Sequence, residues 1–225
     1  MTIAAGRKPT NDYLDAIAHL PEGGTLIFHH VPWPAYAALL NDLGDGYRAR
    51  ISYDHGRLEV NMPTPVHERW KTFLADLMRL LTDTLGLDME GLGSTTFSYE
   101  GWLAGLEPDT CFYIANAASI LGVKRFDPQT PPPPPDIAVE VDITSESLGR
   151  FATYAKLGVP EIWRCDEEQL QIYHLTEAGY VEAKTSLAFP FLTGAILFAY
   201  LERSLVEGQS ATLRAFRDWV QTHKS

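Results

Sequence analysis

Residues 135–166 read PDIAVEVDITSESLGRFATYAKLGVPEIWRCD, and they spell out strand, turn, helix and strand in that order. Ile137, Ala138, Val139, Val141 and Ile143 form a near-continuous apolar run, the pattern of a strand covered on both faces. Glu140 and Asp142 interrupt it two residues apart, so their side chains leave the same face. Carboxylates about 7 Å apart at Cα on a buried strand repel each other and lose hydration unless positive charge sits between them. A divalent cation is the usual answer. The bland alternative is an edge strand with one wet face, where both acids simply stand in water. Gly158-Val159-Pro160 reads as a helix stop and a strand start.

The 225 residues suit one domain, expected over 25–225, preceded by a loosely held leader at 1–24. A hydrophobic share of 45% and a charged share of 21% are those of an ordinary globular chain. There is no apolar run long enough to span a membrane and no apolar core for a signal peptide in MTIAAGRKPTNDYLDA, so a cytoplasmic protein is expected. Cys111 and Cys165, the two cysteines, read as reduced buried thiols. The 18 basic against 29 acidic residues give a net charge of −11, which argues against non-specific DNA binding by the whole surface. A local basic patch is compatible with that balance.

Outward from the central stretch, TNDYLDAIAHL suggests a short helix, TLIFHH at 25–30 a strand, and Pro34 to Leu43 a helix closed by Gly44. Tyr47–Tyr53 and Arg57–Met62 predict a hairpin around a three-residue loop, Asp54-His55-Gly56. A long helix follows, with Thr64 as N-cap, Pro65 at its first position, a stripe of Trp70, Phe73, Leu74, Leu77, Leu80 and Leu81, and Gly86 as its stop. Strands are expected at Ser94–Tyr99 and Thr110–Ile114. The five prolines from Pro131 to Pro135 make a stiff extended connection. A further hairpin at 170–186 and two helices, near 194–205 and 210–222, complete the chain.

Two Pro-Asp pairs open strands. Asp136 lies about 13 Å along the strand from Glu140, too far to share a Mg²⁺ whose ligands sit at about 2.1 Å, and it reads as a solvated residue. Asp109 opens a separate strand, and neighbouring strands lie about 4.8 Å apart, which makes Asp109 and Glu140 the metal pair.

GLEPDTCFYI, the 135–166 stretch, PTPVHERW and FRDWV together resemble the Uma-type restriction endonuclease family of the PD-(D/E)XK nuclease superfamily. The resemblance runs over roughly residues 25–222 and is most specific at 105–114 and 135–166. It implies a restriction-endonuclease-like α/β (α+β) core, a central mixed β-sheet flanked by helices, with an N-terminal hairpin and C-terminal helices. It also implies Mg²⁺ or Mn²⁺ held by Asp109 and Glu140, with Glu59, which matches an early acid of the family, as a third ligand. One departure stands out. The superfamily has Lys two residues after the second acid, where this chain has Asp142; Uma-type members carry it on the next helix, four residues before a Tyr, and here that position is Arg150, with Tyr154 after it. Lys156 is no simple substitute, because six residues is about 240° around a helix. Arg stays protonated and cannot act as a base, though it can neutralise phosphate charge. Water activated by the cation would then be the nucleophile, with Asp142 orienting a water or a second ion and Arg150 contacting the phosphate.

His67 extends the buried face of its helix, as a core histidine or a functional one. Glu68, about 100° around, reads as solvated beside Lys71. His29 and His30, on opposite faces of a strand, cannot chelate together. The expectation is an endonuclease hydrolysing DNA phosphodiesters, with a homodimer suited to cleavage of both DNA strands. The competing expectations are a catalytically attenuated nuclease-fold module acting in binding or protein interaction, and a small-nucleotide phosphoesterase.

Overall fold

The computed structural model of the chain describes residues 10–44, 47–127, 129–143 and 147–224. Residues 1–9 of the expected leader lie outside the described residues. Beyond them the chain forms helix α1 (Asn11–Ala18), with Ile17 buried. Strand β1 (Thr25–Phe28) stops short of the two histidines that were expected to extend it. His29 and His30 are exposed loop residues, His30 at φ 57°. Helix α2 (Trp33–Leu43) has Pro34 in its first turn and ends at Gly44.

The hairpin of β2 (Arg50–Asp54) and β3 (Arg57–Asn61) is tighter than the expected three-residue loop. Asp54 pairs with Arg57, leaving His55 and Gly56 as a two-residue turn. Their φ values of 44° and 92° are what a primed turn requires, and Gly56 meets that demand without a Cβ penalty. Helix α3 (Pro65–Leu85) is capped as its sequence predicts: Thr64 Oγ1 accepts from His67 N at 3.4 Å, and Gly86 is left-handed.

Short strands β4 (Glu90–Gly91), β5 (Phe97–Tyr99) and β6 (Ala104–Leu106) lead to β7 (Thr110–Tyr113). A long excursion at 114–136 includes the prolines and returns to β8 (Ile137–Val141). A single 3₁₀ turn (Leu148–Arg150) then runs into α4 (Phe151–Leu157). After it come β9 (Glu161–Cys165), β10 (Leu170–Thr176), β11 (Gly179–Ala183), α5 (Gly194–Glu207) and α6 (Gln209–His223).

These strands make two sheets. The six-stranded sheet has the order β11-β10-β9-β8-β7-β4, with β8 and β9 parallel and the other neighbours antiparallel. It is the central mixed sheet of the predicted α/β core. The N-terminal hairpin proves to be the middle of a second, antiparallel sheet of order β1-β3-β2-β6-β5.

Alternation along β8 explains how the layers stack. Ile137, Val139 and Val141 pack with Trp70, Phe73 and Leu77 of α3 and with Leu197, Leu201 and Phe216 of the C-terminal helices. Ala138 faces the other way, into a core with Leu106, Tyr154 and Ile162. Burial of both faces is why the run tolerates no alternation of apolar and polar residues. A third core, around Tyr36, Leu39, Ile51, Tyr53, Leu58 and Val60, joins α2 to one face of the N-terminal sheet. The opposite parity of β2 and β3 carries Arg50, Ser52, Glu59 and Asn61.

Asp136 is more than a solvated residue. It accepts hydrogen bonds from Ile114 N at 2.6 Å, Asn116 N at 3.0 Å and Asn116 Nδ2 at 2.8 Å, closing the two ends of the excursion on each other. From the end of β7, Tyr113 Oη donates to the Pro133 carbonyl of the excursion at 2.8 Å. Among the described residues no helix is long and apolar enough to cross a membrane.

Close contact of α5 with the central sheet depends on one missing side chain. A Cβ at Gly194 would lie 2.0 Å from the Leu170 carbonyl oxygen, a backbone atom that cannot step aside. Gly194→Ala is expected to destabilise the fold by about 1–3 kcal/mol, a fall in melting temperature of about 2–12 °C by calorimetry.

Candidate active site

Register in the central sheet brings the predicted acids together. Thr110 pairs with Val139 and Cys111 with Ala138, so one step further along the antiparallel pair Asp109 faces Glu140. Asp109 N donates to the Val139 carbonyl at 3.1 Å, and Asp109 Oδ2 accepts from Val141 N at 2.7 Å. The carboxylate thus completes the ladder that the strand leaves open, and this pins its direction. Asp109 and Glu140 share the sheet face that carries Cys111 and Ala138 and packs against Tyr154 of α4, and both are buried.

Glu140 is met by two groups from the following helix. Arg150 sits at the N-cap of α4, and Arg150 Nη2 donates to Glu140 Oε2 at 2.7 Å. One turn on, the Tyr154 hydroxyl donates to Glu140 Oε1. Spacing of i to i+4 puts both on one side of the helix, as the sequence implies. Lys156 points elsewhere, to Asp54 Oδ1 at 3.1 Å in the β2–β3 turn.

Asp142 lies just past the end of β8 and faces a different set of donors. Arg164, paired with Glu140 in the parallel β8–β9 register, reaches across to Asp142 Oδ2 at 2.7 Å. Ser147 adds its backbone N–H at 2.9 Å and its hydroxyl at 3.0 Å to the same oxygen. The positive charge that the two neighbouring acids demand is therefore supplied by a pair of arginines, Arg150 for Glu140 and Arg164 for Asp142. The sequence carried a signal for Arg164, a lone cation within the otherwise buried strand EIWRC.

His67 belongs to this cluster. Its Nε2 lies 3.0 Å from Asp109 Oδ1, and Arg50 Nε of β2 lies 3.6 Å from the same oxygen. Arg50 Nη2 also pairs with Glu68 Oε1 at 3.2 Å, and Lys71 pairs with Glu68, so that acid is part of a charge network. Glu59, the expected third ligand, is held by Arg57 at 2.5 Å and by Asn61 Nδ2 at 3.0 Å.

Electrostatics separate the acids. Burial pushes the Glu140 carboxyl up to about 8; the Arg150 charge opposes the shift, and the charges of Asp109 and Asp142 add to it. For Asp109 burial pushes the same way but is outweighed: the His67 contact, the Val141 amide and the Arg150 charge hold it below the usual carboxylate range. Glu59 is likewise held low against burial by Asn61, Arg57 and the Arg150 charge. Burial and the Glu140 charge keep the Tyr154 hydroxyl protonated.

Two facing buried carboxylates, one driven toward its neutral form by burial and by the charges of nearby acids, fit a hard divalent cation in donor chemistry and in charge. In number the fit is lean. Among the described residues no three His, Cys, Asp or Glu side chains gather into a metal-ligating group, so Glu59 is not assembled with Asp109 and Glu140. Mg²⁺ commonly takes only one or two carboxylates and keeps several waters.

This acid pair, faced by basic side chains, stands beside the parallel β8–α4–β9 unit of a mixed α/β fold. The chain belongs to the Uma2 family, described as "Putative restriction endonuclease", whose profile matches residues 33–204. Its fold is similar to that of a crystal structure described as "a putative nuclease belonging to DUF820" from Anabaena variabilis. The two share 14% sequence identity at a TM-score of 0.54, over 76% of this chain and 99% of that one. No curated protein matches the chain.

Because Glu140 binds its proton more tightly folded than unfolded, its contribution to stability is full below about 4.5 and is lost as pH rises through about 8. With divalent cations chelated, the melting temperature should fall more steeply in the wild type than in Glu140→Gln between about pH 5 and about pH 9. Equal slopes would mean that Glu140 does not titrate there.

Proposed function

We propose that this chain is a metal-dependent endonuclease that hydrolyses DNA phosphodiester bonds. The reading rests on one observation: in a Uma2-family fold, Asp109 and Glu140 face each other on a buried sheet surface with Arg150 against them. Asp109 and Glu140 would hold Mg²⁺ or Mn²⁺, which when bound activates water and neutralises charge at the phosphorus.

The remaining work falls to side chains. His67 and the Val141 amide fix Asp109, and the Tyr154 hydroxyl orients Glu140. Arg150 stays charged and is placed to stabilise negative charge on a phosphate beside Glu140. Arg164 and Ser147 keep Asp142 tied to the start of the helix region that carries Arg150, so Asp142 serves by positioning that segment. Arg50, Arg57 and Arg150 place guanidinium groups on this face, each beside an acid: Asp109, Glu59 and Glu140. A homodimer would present two such sites, one for each strand of a duplex.

A second reading, an attenuated nuclease-fold module that binds without cutting, is favoured by the engagement of both Glu140 oxygens with Arg150 and Tyr154. Arg150→Lys separates the two. A smaller ammonium in that place would raise nicking of supercoiled plasmid in an attenuated protein and lower it if the arginine is the working residue.

With Mg²⁺ or Mn²⁺ the wild type should nick plasmid, and Asp109→Ala or Glu140→Ala should lower the rate by more than about 100-fold. His67→Ala, which removes only a support of Asp109, should cost about 10–100-fold. Absence of cleavage on single-stranded, duplex and branched DNA, together with no Mn²⁺ binding by calorimetry, would overturn the endonuclease reading.

A further inference from the structure

A cavity of about 920 Å³ lies between α2, the 92–98 segment and the 120–126 part of the excursion, with Gln129 beside it. It does not open on Asp109 and Glu140. Its connection to them is Arg50, which lines it and whose Nε lies 3.6 Å from Asp109 Oδ1.

The polar groups in its lining are under-used. Glu107 is buried, and its Oε1 accepts from the Tyr47 hydroxyl and from Thr96 Oγ1 at 2.6 Å. Its Oε2 takes one long bond, from Ile51 N at 3.4 Å, which leaves acceptor capacity. Tyr36 is 1% exposed, and its hydroxyl has no hydrogen-bond partner among the described residues. Native proteins rarely bury such a group without a use for it. The wall includes Trp33 and Phe126, both partly exposed, and Lys124 of the exposed loop also lines the cavity.

A carboxylate with a spare lone pair, a buried hydroxyl, aromatic walls and an ammonium group match the three parts of one ligand. Amino-bearing nucleobases offer N–H donors to a carboxylate, every base offers a flat face to an aromatic ring, and a phosphate pairs with Lys. We infer that this cavity binds a nucleotide, its base held by Glu107 and Tyr36 between the aromatic walls and its phosphate by Lys124. Either a free mononucleotide or an unpaired base of a DNA strand would satisfy that chemistry. Size is no obstacle, since ligand pockets commonly run to about 300–1,000 Å³. The inference needs neither cation nor cleavage and so stands apart from the endonuclease reading.

The test uses the full chain in EDTA, titrated by calorimetry with each deoxynucleoside monophosphate, with inorganic phosphate and with a short single-stranded oligodeoxynucleotide. dCMP, dAMP or dGMP is expected to bind more tightly than dTMP and far more tightly than phosphate. Tyr36→Phe, which removes a hydroxyl with no partner to lose, should leave the melting temperature unchanged and weaken binding about 2–10-fold. Glu107→Gln should weaken it further. If only the oligonucleotide binds, with the same sensitivity to Tyr36→Phe, the base comes from a strand; if mononucleotides bind, the ligand is free. Phosphate binding as tightly as nucleotides, binding indifferent to Tyr36→Phe and Glu107→Gln, or no binding of either nucleotide form would overturn the inference. A protein that binds nucleotide yet never nicks plasmid would keep this site and lose the proposed hydrolysis.

Discussion

The antiparallel register of β7 against β8 is the constraint on which the site depends. Pairing Thr110 with Val139 sets Asp109 opposite Glu140, and a slip of one residue would turn one of the acids to the helix-packed face. Two bonds hold the register at the open end of the ladder, Asp109 N to Val139 O at 3.1 Å and Val141 N to Asp109 Oδ2 at 2.7 Å. One of them is made by the Asp109 carboxylate itself. The core on the far face, from Trp70 to Phe216, holds Ile137, Val139 and Val141 on that side and so leaves Glu140 on the other.

Burying so many acids in one place is stable because basic side chains arrive from four different elements. Arg50 comes from β2, His67 from α3, Arg150 from the start of α4 and Arg164 from β9. Removing a partner from a buried ion pair is far more damaging than never having made the pair, because the survivor stays buried without compensation. The arginines also differ in what they leave free. Arg164 is spent on Asp142, Asp166 and Gln171, whereas Arg150 Nε has no hydrogen-bond partner among the described residues.

Much of this architecture can be read in the amino acids because it is local. The two-sided strand at 137–141, the capped helix at 64–86 and the strand–helix–strand order follow from periodicity and from Thr64, Pro65 and Gly86. The Arg150–Tyr154 spacing likewise predicts that both reach one side of α4. What the sequence hides is contact between distant strands. Nothing near Arg164 says that it leans onto Asp142, and nothing near His67 says that its ring meets Asp109, 42 positions away. The two-residue turn at His55-Gly56 was obscured because His55 takes a left-handed conformation more typical of Gly or Asn. The second sheet was obscured by the brevity of β5 and β6, three residues each, too short to show a period.

The excursion at 114–136 leaves β7 and returns to β8, its ends stapled together by Asp136. Everything between those staples is released from the job of setting strand register. Insertions, deletions and substitutions there would remodel one wall of the Glu107 cavity while the Asp109–Glu140 pair stays where the ladder holds it. Under the two proposals, ligand preference and chemistry would be carried by separately variable stretches of the same chain, so descendants of this fold could change what they recognise without rebuilding how they act.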